Sequence, residues 1–587
     1  MKFMTKIKNV QKVKILALIA PLLGGVGGGM LSSCTDWNDH YTTDSSMTES
    51  QGNSIMTNIE QTPNLSQFAS LLKKTGFDQR LNASQTYTVW APVNDSFDYN
   101  QLDAMSNSRL LKQFIQNHVA RNNYPATGTM NQKVYMLNEK LMHFEGVPEN
   151  YSIQGIALDG ASQNIGSNNG TLHTIGAKIP YLANIYESLN AEEFPLDSIS
   201  NYFHAYDSRK LDEQRSVPGP IVDGEQTYLD SIFYEDNSLY RSYRAYINAE
   251  DSNYTMILPT NTAWEKARKR IAQYYNYVPK FSVVNATALN NDTTIVVNLR
   301  DAAQLKDSIT KDMLMADLVF NNNIYDNRKL PSLKEGETPK SDSIVSTSRN
   351  ILYADDVKGL FADAKRVDKS NGAIWVTDSL NYPAWLSWNP EITVEAEHWV
   401  YKTVYAGTSG TVRISNNQNP NIKGHVSNDA FYAVTPNSPG DHPEMYFHIP
   451  DVRSTEYNVY IVLLPNNIIN DQLTYKPNSV SVGVRYSRED GTLINESTLR
   501  GPDGTTFSTN DSIAQVDTLF LGSVTFPIAY YGTGDSYPYI RVRSRFSSSG
   551  NNKYSRNLLV DCLILRPKEL DDYLATHPGY KYDKHNR

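Results

Sequence analysis

Proton transfer, nucleophilic attack and metal binding need His, Cys, Asp, Glu or an activated Ser at set spacings. The chain offers 11 His, 2 Cys and 63 acidic residues to search. No His-Glu-x-x-His, Gly-x-Ser-x-Gly or phosphate-loop sequence occurs, and the two cysteines, Cys34 and Cys562, form no cluster. The carboxylate pairs Asp355-Asp356, Glu192-Glu193 and Asp571-Asp572 are adjacent in sequence. Strand neighbours point to opposite faces, so such a pair cannot flank a glycosidic bond by itself. The expectation is a protein that is not an enzyme and needs no cofactor and no metal.

Cys34 has a chemistry of its own. It follows a basic head (Lys2, Lys6, Lys8, Lys12, Lys14), an apolar run Ile15–Leu23 and the small residues Ser32-Ser33. The apolar run is shorter than the about 20 residues needed to span a bilayer, so it reads as a secretion signal. Leu31-Ser32-Ser33-Cys34 resembles a bacterial lipobox. That resemblance implies cleavage before Cys34, acylation of its thiol and a lipid anchor in an outer membrane, with the protein exposed at the cell surface. Asp36 and Asp39 loosely resemble the surface-export signal of Bacteroidota lipoproteins. Cys562 is then left without a thiol to pair with and reads as a small core residue.

At 587 residues the chain exceeds one core and implies several domains of about 100–200 residues each. Without the five lysines of the first 33 residues, the net charge of -9 becomes -14. Outside the signal no Lys/Arg block is present to displace counterions, which argues against nucleic acid as a partner. Tyr is abundant, 38 residues, in keeping with half-buried strands or sugar-facing surfaces.

The elements that would position a site follow from periodicity. After the signal (1–33), residues 34–58 lack sustained apolar spacing and read as a flexible tether. Leu65, Phe68, Leu71 and Leu72 recur at helical spacing before Gly76, and Tyr87–Ala91 reads as a strand ending at Pro92. Thr88–Phe97, with Pro92, Asn94 and Phe97, resembles the first signature box of fasciclin (FAS1) domains. Leu111–Val119, with His118, is similar to the family's histidine helix. Asn169-Gly170-Thr171-Leu172-His173-Thr174-Ile175 resembles the second box, with Asn169, Gly170 and His173 in register. Trp90 stands where the family usually has Phe. The resemblance implies a FAS1 domain over 59–189 in which these motif residues are structural. Tyr254–Trp264 and Asn371–Asp378 repeat the boxes, implying a degenerate second FAS1 domain over 190–388, with insertions near 205–245 and 277–300. There Trp375 takes the place of His173, and Phe320 or Asn321 that of His118.

From Ile392 the texture is short alternating or β-branched runs between turn signals, a β-sandwich pattern over 389–569. Val394–Glu397, the Tyr457–Leu464 run and Val560–Leu565 resemble a galactose-binding-like jelly roll, which implies a carbohydrate-binding domain. Residues 570–587 read as a polar tail. The fold class expected is thus multidomain and β-rich α+β, two FAS1-type domains followed by a jelly roll. Aromatics and polar groups that could stack on and bond to a sugar are Trp399, Tyr401, Tyr530, Tyr531, Tyr537 and Asp535, and the net charge favours a neutral or basic glycan.

Asp-Ser-Ile recurs at Ser198, Ser231, Ser308, Ser343 and Ser512, which resembles the O-glycosylation sequence of exported Bacteroidota proteins; Asp and Ser are also ordinary turn and cap residues. The function expected is a non-catalytic surface lipoprotein for adhesion and glycan binding, accessory to a SusC/SusD-like uptake system. A purely structural adhesion protein binding protein or matrix is the alternative, and a polysaccharide hydrolase the third reading.

Overall fold

The computed structural model describes residues 52–582 apart from 191–192, 215, 223, 231–232, 285–293, 324–342, 399–401, 405–407, 415–418, 420, 469–470, 502, 507, 510–513 and 531–537. The chain divides into two compact units, the first ending at Ile179 and the second running from Pro180 and including Glu139–Leu141. Among the described residues no helix is long and apolar enough to cross a membrane.

In the first unit the strand Tyr87–Pro92 is central. It pairs antiparallel with Val119–Arg121 and parallel with Gly170–Ile175, which in turn pairs with Ile165–Ser167. All six residues of the central strand are buried, as expected for a strand covered on both faces. One face packs against the helix Ser66–Thr75, which buries Phe68, Leu71 and Leu72 and stops at Gly76. Trp90 faces a second apolar cluster with Phe144, Tyr151 and Ile153.

The helical part begins earlier than residue 59. Ile55–Gln61 is a helix capped by Ser54, and Ile55, Met56 and Ile59 are buried, so the last residues assigned to the tether belong to the folded core. Its apolar stripe is only two turns long and interleaved with Thr57 and Asn58, too short for periodicity to reveal.

The second unit repeats this arrangement. Tyr254–Pro259 pairs antiparallel with Val319–Asn321 and parallel with Gly372–Thr377, which pairs with Lys365–Lys369. The inserted segments form hairpins: Asp207–Leu211 with Phe233–Asn237, Val217–Val222 with Glu225–Asp230, and Lys280–Val284 with Thr294–Asn298.

Beyond residue 389 two antiparallel sheets enclose one apolar core. The first has the order Thr408–Ile414, Ala430–Pro436, Leu558–Pro567, Glu456–Leu463, Asp517–Thr525, with Ile392–Glu395 also on Leu558–Pro567. The second has the order Lys402–Val404, Glu444–His448, Tyr539–Ser544, Ser479–Arg485, Ser497–Thr498, with Ser508–Thr509 also on Ser479–Arg485. Phe281 and Val283, from the inserted hairpin, enter this core beside Phe447, Tyr457 and Phe526. The closing segment is structured as well. Lys568–Thr576 is a helix, and Leu570, fully buried, joins the core of the second repeat with Tyr573 and Leu574 packed around it. Apolar residues at i, i+3 and i+4 inside a charged sequence explain why it reads as a polar tail.

Candidate functional site

The two signature boxes of the first unit converge on asparagines that tie chain segments together. Asn169 Oδ1 accepts from Ile55 N (2.9 Å), and its Nδ2 donates to the carbonyls of Leu81 and Ala83 (both 2.7 Å). Asn94 Oδ1 accepts from Gln67 N (2.9 Å), capping the helix Ser66–Thr75, while its Nδ2 reaches Pro63 O and Ser66 Oγ. Gly170 follows Asn169 at φ 135°, and a Cβ there would lie 1.8 Å from Tyr87 O, so only glycine fits. Phe97 packs on Phe114, with ring centroids 5.3 Å apart, and Pro92 closes the central strand.

His118 and His173 lie on either side of this sheet, both without exposed surface. His118 Nδ1 is 2.7 Å from Phe114 O and its Nε2 accepts from Ile179 N at 2.9 Å. The backbone partners set the tautomer: Nδ1 carries the proton. His173 is the mirror case, with Nδ1 accepting from Asn164 N at 3.2 Å and Nε2 donating to Tyr124 O at 2.9 Å. Burial pulls both imidazoles down to about 4, so both are neutral at physiological pH. With every nitrogen spent, neither ring has a lone pair for a metal or a substrate proton.

The second repeat preserves the clamps and discards the histidines. Asn371 Oδ1 accepts from Ile185 N (3.0 Å) and its Nδ2 donates to Ile247 O and Ala249 O. Asn261 Oδ1 accepts from Ser198 N (2.8 Å), as Asn94 does from Gln67. Gly372 also has φ 135° and would place a Cβ 1.9 Å from Tyr254 O. In register, Trp375 stands opposite Ile257 as His173 stands opposite Trp90. The large indole has thus changed strands, which keeps the row filled. Val319 pairs with Met256 as Val119 pairs with Val89, so Leu318 occupies the place of His118, rather than Phe320 or Asn321. The same register sets Leu314-Met315 against Phe114-Ile115, which pairing Leu314 with Leu111 misses.

Of the proposed sugar-binding residues, Trp399, Tyr401, Tyr531, Asp535 and Tyr537 lie outside the described residues, as do Cys34, Ser231 and Ser512. Tyr530 is 4% exposed, stacks edge-on with Phe281 at 5.2 Å, and its hydroxyl accepts from Ser487 N. It is a core residue with no ring face to offer. The three described Asp-Ser-Ile serines differ in setting. Ser198 lies in the first turn of the helix Asp197–His204, Ser343 opens a strand, and Ser308 is exposed on the helix Ala302–Met315.

Glu395, Asp561 and Cys562 bring one ligand atom each within 4.8 Å of one another. Ser427 already links the two acids, its Oγ reaching both Glu395 Oε2 (2.5 Å) and Asp561 Oδ1 (2.8 Å), and its N–H donating to Asp561. Burial pushes the Cys562 thiol far up, so it is protonated and a poor ligand or nucleophile.

The outward face of the second sheet escapes sequence reading. Met445, Phe447, Val480, Val482, Ile540 and Val542 point into the core, so Glu444, Tyr446, His448, Ser481, Arg485, Tyr539, Arg541 and Arg543 share the other face. Arg541 is held by Glu496 through Nη2–Oε1 (2.5 Å) and Nε–Oε2 (3.1 Å), and Arg543 Nε lies 2.8 Å from Glu444 Oε1. Tyr446 and Tyr539 meet edge-on at 5.2 Å. Alternating polar residues in a strand usually mean a solvated face, so the pattern alone carries no warning that His448 is 1% and Ser481 6% exposed.

A scan of family models matches residues 63–179 to the Fasciclin domain. No curated protein matches the chain. Among solved structures, the FAS1 domain pair of the insect cell adhesion molecule fasciclin I is 10% identical, with 55% of this chain and 98% of that one covered and a TM-score of 0.19. Paenibacillus xanthan lyase is 11% identical, with 35% and 17% covered and a TM-score of 0.18. Bacteriophage CBA120 tailspike protein 4 is 8% identical, with 28% and 18% covered and a TM-score of 0.13. The family match spans both boxes, and the clamps of Asn94 and Asn169 lie within it; the chain therefore carries a Fasciclin (FAS1) domain at residues 63–179.

Proposed function

We propose that this protein is a non-catalytic adhesion lipoprotein, anchored through acylated Cys34 in an outer membrane and exposed at the cell surface. Its fasciclin domain and the second repeat serve as stalk and adhesive surface, and the two-sheet region beyond residue 389, read as a jelly roll, binds a carbohydrate. A SusC/SusD-like uptake system is the partner this reading implies. The observation that supports it best is that the chemistry-bearing residues of the fasciclin domain are spent on the fold. Both imidazoles are neutral with both nitrogens bonded, and the second repeat carries Leu318 and Trp375 in their places. What is left to work with is surface. The test is a glycan array on the full chain, alongside turnover assays on the same polysaccharides. Binding without turnover is the expected result, and hydrolysis of any polysaccharide overturns the non-catalytic reading.

One observation favours the purely structural alternative. The hairpin Lys280–Val284/Thr294–Asn298 and the helix Lys568–Thr576 join the two-sheet region to the second repeat, as a rigid spacer would require. Absence of binding on the array at millimolar sugar would favour that reading.

A further inference from the structure

A cavity of about 360 Å³ opens between the end of the helix Asn261–Ala272, the start of the strand Glu456–Leu463 and the helix Lys568–Thr576. It lies where the second repeat meets the two-sheet region, and its volume falls in the range of small-ligand sites, about 300–1,000 Å³. Its walls are held in place. Ser454 Oγ accepts from Asn276 N (2.9 Å) and donates to Gln273 O (2.8 Å), and Ser454 N donates to Tyr274 O (2.9 Å). Tyr274 Oη donates to Glu569 (3.0 Å), and Lys568 Nζ pairs with Asp572 (2.7 Å). Three lining side chains are left over. Among the described residues the Gln273 amide, the Thr455 hydroxyl and the Glu456 carboxylate make no hydrogen bond, and none of the three residues is buried. The half-buried ring of Tyr274 lines the same cavity and meets no other described aromatic.

These groups suit a hydroxyl-rich ligand. A primary amide both donates and accepts, as a sugar hydroxyl does, and a carboxylate can take the two protons of a vicinal diol on its two oxygens. An aromatic ring with its negative face packs against the C–H face of a pyranose. The charge of the lining narrows the class. Glu456, Glu569 and Asp572 stand against Lys568 alone, a surplus of negative charge that a uronate or sulfated sugar would have to approach. Resting on the carbohydrate reading above, we propose that this junction binds an uncharged pyranose unit of a glycan. Glu456 takes a vicinal diol, Gln273 and Thr455 take neighbouring hydroxyls, and Tyr274 carries the C–H face. The ligand touches the repeat and the two-sheet region at once.

Titration calorimetry of the full chain tests this, with cellotriose, laminaritriose, maltotriose, trigalacturonate and the tightest uncharged oligosaccharide from the array as probes. At least one uncharged sugar binds, about tenfold or more tightly than trigalacturonate. Gln273→Ala lowers that affinity about tenfold with the thermal midpoint unmoved, the loss of a hydrogen bond to ligand alone. Thr455→Val, which keeps the shape and removes the hydroxyl, lowers it about threefold and decides the matter if the first variant does not fold. Glu456→Gln removes a charge at nearly constant shape and narrows the gap to trigalacturonate about threefold. Binding of an uncharged sugar that is indifferent to all three variants overturns the placement in this cavity and leaves the carbohydrate reading intact. Trigalacturonate bound as tightly as any uncharged sugar, or binding confined to anionic sugars, overturns the uncharged assignment. No binding of any saccharide, in solution or on the array, overturns both readings.

Discussion

Protonating His118 or His173 places a cation where no water reaches and where a backbone N–H, from Ile179 or Asn164, points at the nitrogen that would receive the proton. The folded state resists the proton until about pH 4, whereas the unfolded chain accepts it near 6.5. Between those values the unfolded state binds more protons, so stability rises with pH there. The contribution is fully present above about 6.5 and is lost as pH falls toward about 4, on the order of 3 kcal/mol per imidazole. Hydrogen exchange at the Tyr87–Ala91 amides, corrected for intrinsic rates, should show protection falling from pH 7 to pH 4.5. Unchanged protection would mean the rings are not held neutral. The asparagine clamps should act independently of pH. Asn169→Ala removes three hydrogen bonds and leaves Ile55 N and two carbonyls without their partner, a loss of about 2–4 kcal/mol measurable by urea unfolding. Gly170→Ala should not fold, because its Cβ would overlap Tyr87 O.

At the scale of elements, what was legible followed from how local the cause is. Asn169-Gly170 and Pro92-Val93-Asn94 write their geometry into adjacent residues, and the boxes repeat closely enough for the second copy to be found from its own strand and turn. The helix Lys568–Thr576 was not legible, because Leu570 and Tyr573 find their partners in Trp385 and the second repeat, nearly 200 residues away. The inserted hairpin around Phe281 is the same case, since nothing local to it names the core it enters. The polar face of the second sheet was the least legible of all. Burial of His448 and Ser481 depends on what packs over a strand, which alternation does not encode. The closing segment makes its own prediction. Tyr580 accepts from Trp385 Nε1 (3.0 Å) and donates to Asp356 Oδ1 (2.9 Å), and burial raises that carboxyl to about 6. Tyr580→Phe removes both bonds and leaves the Asp356 carboxyl with the backbone of Tyr353 but without its side-chain donor, which should lower stability by about 1–3 kcal/mol. The loss should be larger at pH 8, where the buried carboxylate is charged, than at pH 5, where it is protonated. Equal losses at the two pH values would show that Asp356 is not the partner that matters.

Across the second unit as a whole, sequence texture draws a boundary at residue 389 that the packing crosses twice. Phe281 leaves the second repeat to fill the two-sheet core, and Leu570 leaves the two-sheet region to fill the core of the repeat. Glu569 adds polar ties, accepting from Tyr274 Oη and from Asn389 Nδ2 (2.9 Å). Neither core is then complete without a residue supplied from the other side of the boundary, and the two should lose structure together. Phe281→Ala and Leu570→Ala each create a cavity worth about 2–5 kcal/mol. Each should reduce exchange protection both in the strand Tyr254–Pro259 and in the strand Glu456–Leu463, with one shared unfolding transition. If Leu570→Ala loosened only the first of these strands and Phe281→Ala only the second, the boundary at 389 would be a true domain border and the exchanged residues mere decoration. A shared transition has a consequence for adhesion: load applied to a bound ligand would pass into the second repeat through a packed core rather than a flexible hinge.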